Sequence, residues 1–336
     1  MHRAAAGSSA EGVVRGAGPK VPARVAAVWD ETPSVKGLRI EVDPAQFTFQ
    51  AGQWVDFWVP GIKQVGGFSI VTTPAELAAT GTFELGVKAT QHPVARWAAA
   101  AAAPGAPVAV RPGGSFSLSP ASLAPGAPAL FVAGGIGVTP LASMIAELVQ
   151  AWAAAAGRDG PQQQHGGGAR LTVGEAAAGP QAVLLYSARA PQEFALLPRL
   201  LELQRASRGA LQLRLHCSEF AAPAAAAAAG GGKNGDLWDQ AAAAAEAAGA
   251  DAPAQILLRD GVRSLLRRRL LPQDLAVAVA DLRGGAAGGG GGGGCGGAPQ
   301  VVAYVCGPPA LSDQVVAELE GGGVAGVGEV VMERWW

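Results

Sequence analysis

The stretch Leu130-Phe-Val-Ala-Gly-Gly-Ile-Gly-Val-Thr-Pro-Leu141 decides the fold. Its apolar beginning, Ala129–Ala133, reads as a buried strand that runs into Gly134, Gly135 and Gly137. A helical pattern from Thr139 to about Ala155 follows. Glycines let a main chain approach a diphosphate. The first turn of a helix points free N–H groups and the positive end of its dipole at such an anion. Thr139 is placed to cap the helix, and Pro140 suits its first turn. A tight turn without a ligand obeys the same local grammar, so the loop needs support from the rest of the chain.

Downstream, the grammar repeats. Gln181–Ala188 reads as a second strand and Pro191–Arg205 as a helix. Leu211–Cys217 is a third strand and Val301–Cys306 a fourth, followed by a helix over Ala310–Glu320 and a fifth strand at Val327–Met332. Strands alternating with helices imply a doubly wound parallel sheet over 125–336. Three Ala/Gly-rich stretches, near 157–180, 220–254 and 284–298, interrupt it. They read as exposed insertions, because polyglycine buries no side chain and is entropically costly to order. Two further motifs end strands of this sheet. Tyr186-Ser-Ala-Arg189 stands where a ribose or its phosphate would lie, which singles out Ser187 and Arg189. Cys306-Gly-Pro-Pro309 forms a sharp turn that leaves the Cys306 side chain at the crevice; the bland alternative is a small buried hydrophobe.

Upstream, over 21–122, the pattern is different. Val21–Val28, Gly37–Val42, Gln53–Val59, Gly67–Thr72, Thr82–Lys88 and Pro107–Arg111 are short segments with β-type patterning, punctuated by Gly and Pro. They predict an antiparallel sandwich or small barrel.

Composition narrows the function. With 25 basic and 26 acidic residues the chain has no basic field for nucleic acid or a membrane surface. No run of strongly apolar residues is long enough to predict a membrane span. The three cysteines are dispersed and the histidines number four, which argues against a metal centre and for a reducing compartment. Residues 1–20 read either as a disordered tail or as a transit remnant. The expected location is the mitochondrion, with chloroplast or cytoplasm as alternatives.

Taken in order, Gly-Gly-Ile-Gly-Val-Thr-Pro, Tyr-Ser-Ala-Arg and Cys-Gly-Pro-Pro resemble the nucleotide half of the ferredoxin-NADP⁺ reductase superfamily. Together with Gly52-Gln-Trp-Val-Asp-Phe57, Val65-Gly-Gly-Phe-Ser-Ile70, Gln91-His-Pro93 and the Trp335-Trp336 end, they resemble the narrower group of mitochondrial oxidoreductase NAD-binding domain-containing proteins. The resemblance implies two domains: an antiparallel Greek-key β-barrel for FAD, then the α/β doubly wound parallel sheet for NAD(H) or NADP(H). It implies a flavoprotein enzyme that passes hydride between nicotinamide and flavin N5. Electrons would then go to a separate acceptor, a small molecule or a redox protein.

The same resemblance assigns residues. Gly134, Gly135, Ile136, Gly137, Val138, Thr139 and Pro140 would meet the nucleotide, with its nicotinamide near Cys306, Gly307 and Pro308. Gly67, Phe68, Ser69 and Ile70 would meet the flavin, with the Phe68 ring on the isoalloxazine and the Ser69 hydroxyl near N5. Gly66 stands where the family has an arginine for the flavin diphosphate. Val87, Lys88, His92, Pro93 and Val94 form the second flavin segment, and Pro93 opens a short helix whose amides can hold phosphate. Lys88 and Arg96 are either phosphate partners or solvated cations. Glu333 fits a proton relay; Trp335 or Trp336 fits a flavin-covering aromatic, or else a core anchor. His216-Cys-Ser-Glu219 lacks the arginine that plant-type relatives use for the 2′-phosphate, and Glu219 disfavours an anion, which tilts the reading to NAD(H). The rival reading is a redox-inactive nucleotide- or flavin-binding partner, or an electron-transfer subunit of a larger complex.

Overall fold

The computed structural model describes residues 18–124, 126–158, 179–219, 264–266, 268–286 and 300–334. Most of the expected tail and insertions lies outside the described residues, as do Trp335 and Trp336. The end of the tail is within them and lies on the first domain. Lys20 Nζ is 4.4 Å from the Trp58 ring centre, and the Gly18 carbonyl accepts from Arg111 at 3.4 Å.

Six antiparallel strands build the first unit: β1 (Val21–Thr32), β2 (Val35–Val42), β3 (Trp54–Trp58), β4 (Gly66–Ser69), β5 (Thr82–Lys88) and β6 (Pro107–Gly113). Their order is β4-β3-β6-β1-β2-β5. The two edges meet where Ile70 bridges Leu85 and the Val71 amide donates to the Glu84 carbonyl at 2.9 Å, which closes the Greek-key barrel. Strand alternation puts Val25, Leu38, Ile40, Val55, Phe57, Phe83 and Leu85 inside. Among the described residues β4 pairs only with β3, so the outward main-chain groups of Gly66–Ser69 belong to no ladder there.

Two helices occupy barrel connections. Helix α2 (Pro93–Ala100) begins at Pro93 as expected and buries Val94, Ala95 and Ala98 against the barrel core. Helix α1 (Pro74–Thr80) is an addition to the strands and the one short helix expected of this domain. It is seven residues long and buries only Leu77, too little for a periodic signal. Its start was nevertheless written in Thr73-Pro-Ala-Glu76, a capping box with both reciprocal hydrogen bonds formed.

The second unit alternates β7 (Ala129–Gly134), α3 (Val138–Arg158), β8 (Ala182–Ala188), α4 (Leu197–Ala206), β9 (Leu211–Cys217), β10 (Ser264–Leu266), α5 (Pro272–Ala286), β11 (Val301–Gly307), α6 (Pro309–Glu320) and β12 (Val327–Arg334). All strands are parallel, in the order β10-β9-β8-β7-β11-β12. The expected five-stranded sheet thus gains a three-residue edge strand, β10, too short to carry a pattern. Helix α5 also went unassigned, although Leu275, Ala278, Val279 and Leu282 are buried at helical spacing.

Alternation splits the sheet's core in two. One face (Phe131, Tyr186, Leu213, Tyr304) packs on α3 and α4, and the other (Leu130, Val183, Val305) on α5 and α6. The first of these cores does not stop at the domain boundary: Ala51, Val71 and Phe116 of the barrel belong to it. Among the described residues one helical segment, Gly135–Ala156, is long and apolar enough to cross a membrane, but 67% of its apolar window is buried in this core.

Candidate functional site

Strand order reverses between β7 and β11: successive strands after β7 add on one side, and β11 and β12 on the other. The crevice at the carboxyl ends of those two strands is where open α/β sheets take ligands. The glycine loop lines it. Two of its glycines are required by the protein itself. A Cβ on Gly137 would lie 2.2 Å from the Cys306 carbonyl oxygen, and one on Gly134 would lie 2.5 Å from Leu311 and 2.7 Å from Pro308. Gly135 differs, with a φ of +52° and nothing within 4 Å of its missing Cβ, so it is the glycine that faces open space.

The helix begins one residue earlier than expected. Val138 starts α3 after a 3₁₀ turn at Gly135–Gly137, so Thr139 lies inside the first turn and is not its cap. The Thr139 hydroxyl donates to the Ile136 carbonyl at 2.8 Å instead. Its methyl group and the Ile136 side chain reach the barrel, 2.8 and 3.1 Å from where a Cβ on Gly86 would stand. Val138 and Pro140 are buried beneath the loop. The loop is therefore clamped between the β11 turn and the barrel wall.

At the β8 and β9 ends, Ser187 is half-buried and Arg189 is exposed. The Arg189 guanidinium is bound to the Glu219 carboxylate, Nη2 lying 3.0 Å from Oε1 and 3.2 Å from Oε2. The Arg189 carbonyl also accepts the Glu219 amide, at 2.6 Å. The arginine read as a phosphate partner is thus neutralised by the acid read as its opponent.

Cys306 corrects one expectation. Its side chain is fully buried, on the same sheet face as Tyr304 and Val302, and does not line the crevice. Alternation along β11 turns it inward, and the Cys306 carbonyl with the turn at Gly307 and Pro308 forms the crevice wall. Its register partner on β12 is Glu333, which therefore projects from the same face. Glu333 reaches the barrel, with Oε1 3.5 Å from where a Cβ on Gly114 would sit. The Trp54 indole nitrogen would stand 2.3 Å from that same Cβ, and Gly114 has a φ of +85°. Trp54 pairs in register with Ser69. Sheet end, Glu333, Gly114, Trp54 and Ser69 form one continuous row. Sequence reasoning named Ser69 and Glu333 but passed over Gly114 and also Trp54, whose signal lay inside a motif already quoted.

The open edge of β4 runs from this row toward α2. Ser69 is 5% exposed, and its hydroxyl makes no side-chain hydrogen bond among the described residues. Ile70 and Val87 are buried in the barrel, whereas Lys88 and His92 are exposed. Phe68 is half-buried. Its ring lies edge-on to Phe57 with centroids 5.7 Å apart and turns back over Gly66, where a Cβ would meet it at 2.7 Å and Val94 at 2.9 Å. The first main-chain bond of α2 is from the Arg96 amide to the His92 carbonyl. Pro93 has no N–H, and the next two residues, Val94 and Ala95, are buried. An unladdered strand edge with an unpartnered hydroxyl beside an indole fits a flavin ring. The family arginine has no counterpart at Gly66.

A polar cluster on the opposite sheet face went unnoticed in the sequence. His216, beside Ser187 in register, is fully buried, and among the described residues neither ring nitrogen has a hydrogen-bond partner. Asp274 of α5 lies 3.9 Å from Nδ1 but is held by Arg268 at 2.6 and 2.7 Å. Burial, opposed by Asp274 and reinforced by Arg268 and Arg214, lowers the His216 pKa to about 4, so the ring is neutral.

No family model matches the chain. Its fold is that of the ferredoxin-NADP⁺ reductase-like proteins. A ferredoxin NADP⁺ reductase from Neisseria gonorrhoeae, solved with bound FAD and NADP, superposes with a TM-score of 0.57 at 14% identity, covering 94% of this chain and 99% of that one. In sequence, the chain is 46% identical over 123 residues to Oxidoreductase NAD-binding domain-containing protein 1 of Danio rerio, covering 37% of this chain and 46% of the relative. It is 38% identical over 137 residues to Ferredoxin--NADP reductase B of Sorangium cellulosum, covering 40% of this chain and 54% of that protein. The chain spans about half or less of the length of these curated relatives. Both resemblances read from the motifs are borne out.

Proposed function

We propose that the chain is a flavin-dependent oxidoreductase that takes electrons from a nicotinamide nucleotide and passes them to a separate acceptor. The observation that carries this is the continuous row from the β7–β11 crevice through Glu333 and Gly114 to Trp54 and Ser69. It brings a nucleotide-type loop and an open barrel edge to one place. When bound, flavin supplies the two-electron acceptance of hydride from nicotinamide at its N5.

The chain's own residues bind, orient and seal. Gly135 and the first turn of α3 receive the diphosphate of the nucleotide. Because the barrel touches the β12 side of the crevice, the reactive ring points that way and the adenosine toward Ser187 and Glu219. The Ser69 hydroxyl donates to the flavin ring, and Glu333 holds or moves a proton at its carboxylate. With Arg189 engaged by Glu219, NADH is the preferred donor. The filled position at Gly66 is the one observation that favours the redox-inactive rival. Anaerobic absorption spectra decide between them. Flavin bands that bleach on adding NADH are the expected result; bound flavin that neither nucleotide reduces would overturn the enzymatic reading.

A further inference from the structure

The barrel lies along the carboxyl edge of the sheet, and its contacts mark off three stretches of that edge. At β12 it brings Gly114 to Glu333. At the glycine loop, Gly86 receives Ile136 and Thr139. Past the end of β8, the β1–β2 hairpin meets the approach to α4. There the Ser34 hydroxyl donates to the Glu193 carboxylate, and the Glu31 carboxylate accepts the Leu196 amide at 2.8 Å. The adenosine half of a nucleotide whose diphosphate sits at Gly135 runs from the second stretch toward the third. Between the two the barrel presents the half-buried ring of Trp29.

Register places that ring. Trp29 pairs with Gly37 across β1 and β2, and Gly37 pairs with Gly86 across β2 and β5. The indole lies over Gly37, with three of its ring atoms 2.0, 2.3 and 2.4 Å from where a Cβ would stand. Ile136 and Thr139 lie in the same way over Gly86. Directly paired residues of neighbouring strands share one face of a sheet. The indole and the Ile136 side chain are therefore neighbours, and Ile136 is half-buried like Gly135 beside it. The ring is also fixed. Its Nε1–H donates to Glu31 Oε2 at 2.8 Å, and Oε1 of that carboxylate is the atom that holds Leu196. The Arg39 guanidinium stands 6.0 Å from the ring centre, bound to Glu84 at 2.8 and 3.1 Å. A ring clamped in this way loses little further freedom when a planar group stacks on it. On the β8 side of its diphosphate, a nicotinamide nucleotide carries such a group, the adenine base.

We infer that Trp29 and Ile136 form the adenine subsite, with the Trp29 indole as the stacking platform, so that the barrel takes part in recognising the nucleotide as well as the flavin. The inference rests on the nucleotide reading of the Gly135 loop and adds the base to it. The test is a titration of the full chain, of Trp29→Phe and of Trp29→Leu with AMP and with NADH, read by calorimetry and, for AMP, by tryptophan fluorescence. Stacking of a base on an aromatic ring is worth roughly tenfold in affinity. AMP should quench the fluorescence of the parent. Trp29→Phe should bind AMP nearly as well but lose that quenching, and Trp29→Leu should bind both ligands roughly tenfold more weakly. Undiminished quenching in Trp29→Phe, or a folded Trp29→Leu with the parent's affinities, would overturn the inference and leave the nucleotide reading standing. A parent that binds neither ligand would remove the nucleotide reading itself, and this one with it.

Discussion

At the residue scale, Gly66 and Phe68 act as a pair. Gly66→Arg restores the family's side chain in name only, because the new Cβ enters the volume of the Phe68 ring and Val94. Overpacking of this kind costs about 1–3 kcal/mol. Thermal unfolding should show Gly66→Arg less stable than the parent, and a flavin titration should show no tighter FAD binding. A variant of unchanged stability that binds FAD tightly would mean that the ring swings aside freely. The Arg189–Glu219 pair gives a second prediction. Both side chains are exposed, so the effect is modest. Glu219→Gln should raise NADPH binding relative to NADH roughly fivefold, and Arg189→Leu on that background should remove the gain, both read by equilibrium binding. Short motifs named Ser69, Gly135, Arg189 and Glu333 beforehand, and the fold sets Ser69 on β4, Gly135 in the loop after β7, Arg189 just after β8 and Glu333 on β12. The fate of Cys306 was not legible. The motif places its main chain at the crevice, while strand alternation alone turns its side chain into the core beside Tyr304. His216 escaped because its partners come from α5 and from Arg268, more than fifty residues away in the chain.

At the element scale, long patterned segments were legible and short or shared ones were not. Strands β5 and β9 have the bounds that their apolar patterns predict, Thr82–Lys88 and Leu211–Cys217. Helix α1 and strand β10 owe their existence to tertiary contacts. Glu76 of α1 donates nothing to the core, but its carboxylate accepts the Thr73 amide at 2.6 Å and Arg199 Nη2 of α4 at 2.7 Å. Burial would raise the Glu76 pKa, but the hydrogen bond and charge of Arg199 and the Thr73 amide outweigh it, and the pKa is lowered. Its stabilising effect is therefore present above the ordinary carboxylate range and lost as pH falls through it. The packing of β9 against α5 has the same direction for a different reason. His216 must stay neutral in the fold, with a pKa of about 4 against 6.5 for a free histidine. The unfolded chain binds its proton first, so stability is complete above pH 6.5 and falls by up to about 3 kcal/mol as pH drops toward 4. Chemical denaturation at pH 7 and at pH 4.5 should therefore show a smaller acid loss for His216→Phe than for the parent. Equal losses would mean that the ring finds a proton acceptor when charged.

At the scale of the whole molecule, the question is whether barrel and sheet are two bodies or one. Joined domains commonly meet through modest, polar surfaces and move independently. Here the seam is apolar and bonded along its length. The Ser143 hydroxyl of α3 donates to the Thr72 carbonyl at 2.6 Å, and the Glu31 carboxylate of β1 accepts the amide of Leu196 at 2.8 Å, where α4 starts from a left-handed residue. Most telling is Phe116, a barrel residue that is fully buried in the sheet's core, edge-on to Tyr304 with centroids 6.3 Å apart. The Tyr304 hydroxyl in turn accepts the Ser119 amide and meets the Ser122 hydroxyl, both at 2.8 Å. The loop leaving the barrel is thus anchored from both sides of its chain onto β11, the strand whose end walls the crevice. Such a seam keeps the two halves of the proposed site in register, because Glu333 and Gly114 stay together only if β12 and the barrel do. Cutting Phe116 back to alanine removes a side chain that both units share, at a cost of about 3–5 kcal/mol. If the seam makes one cooperative body, calorimetry of the parent gives a single transition, and Phe116→Ala moves that whole transition to lower temperature. Two resolved transitions, of which Phe116→Ala shifts one, would show the halves folding apart. The alignment of the crevice with the β4 edge would then depend on ligand rather than on the fold.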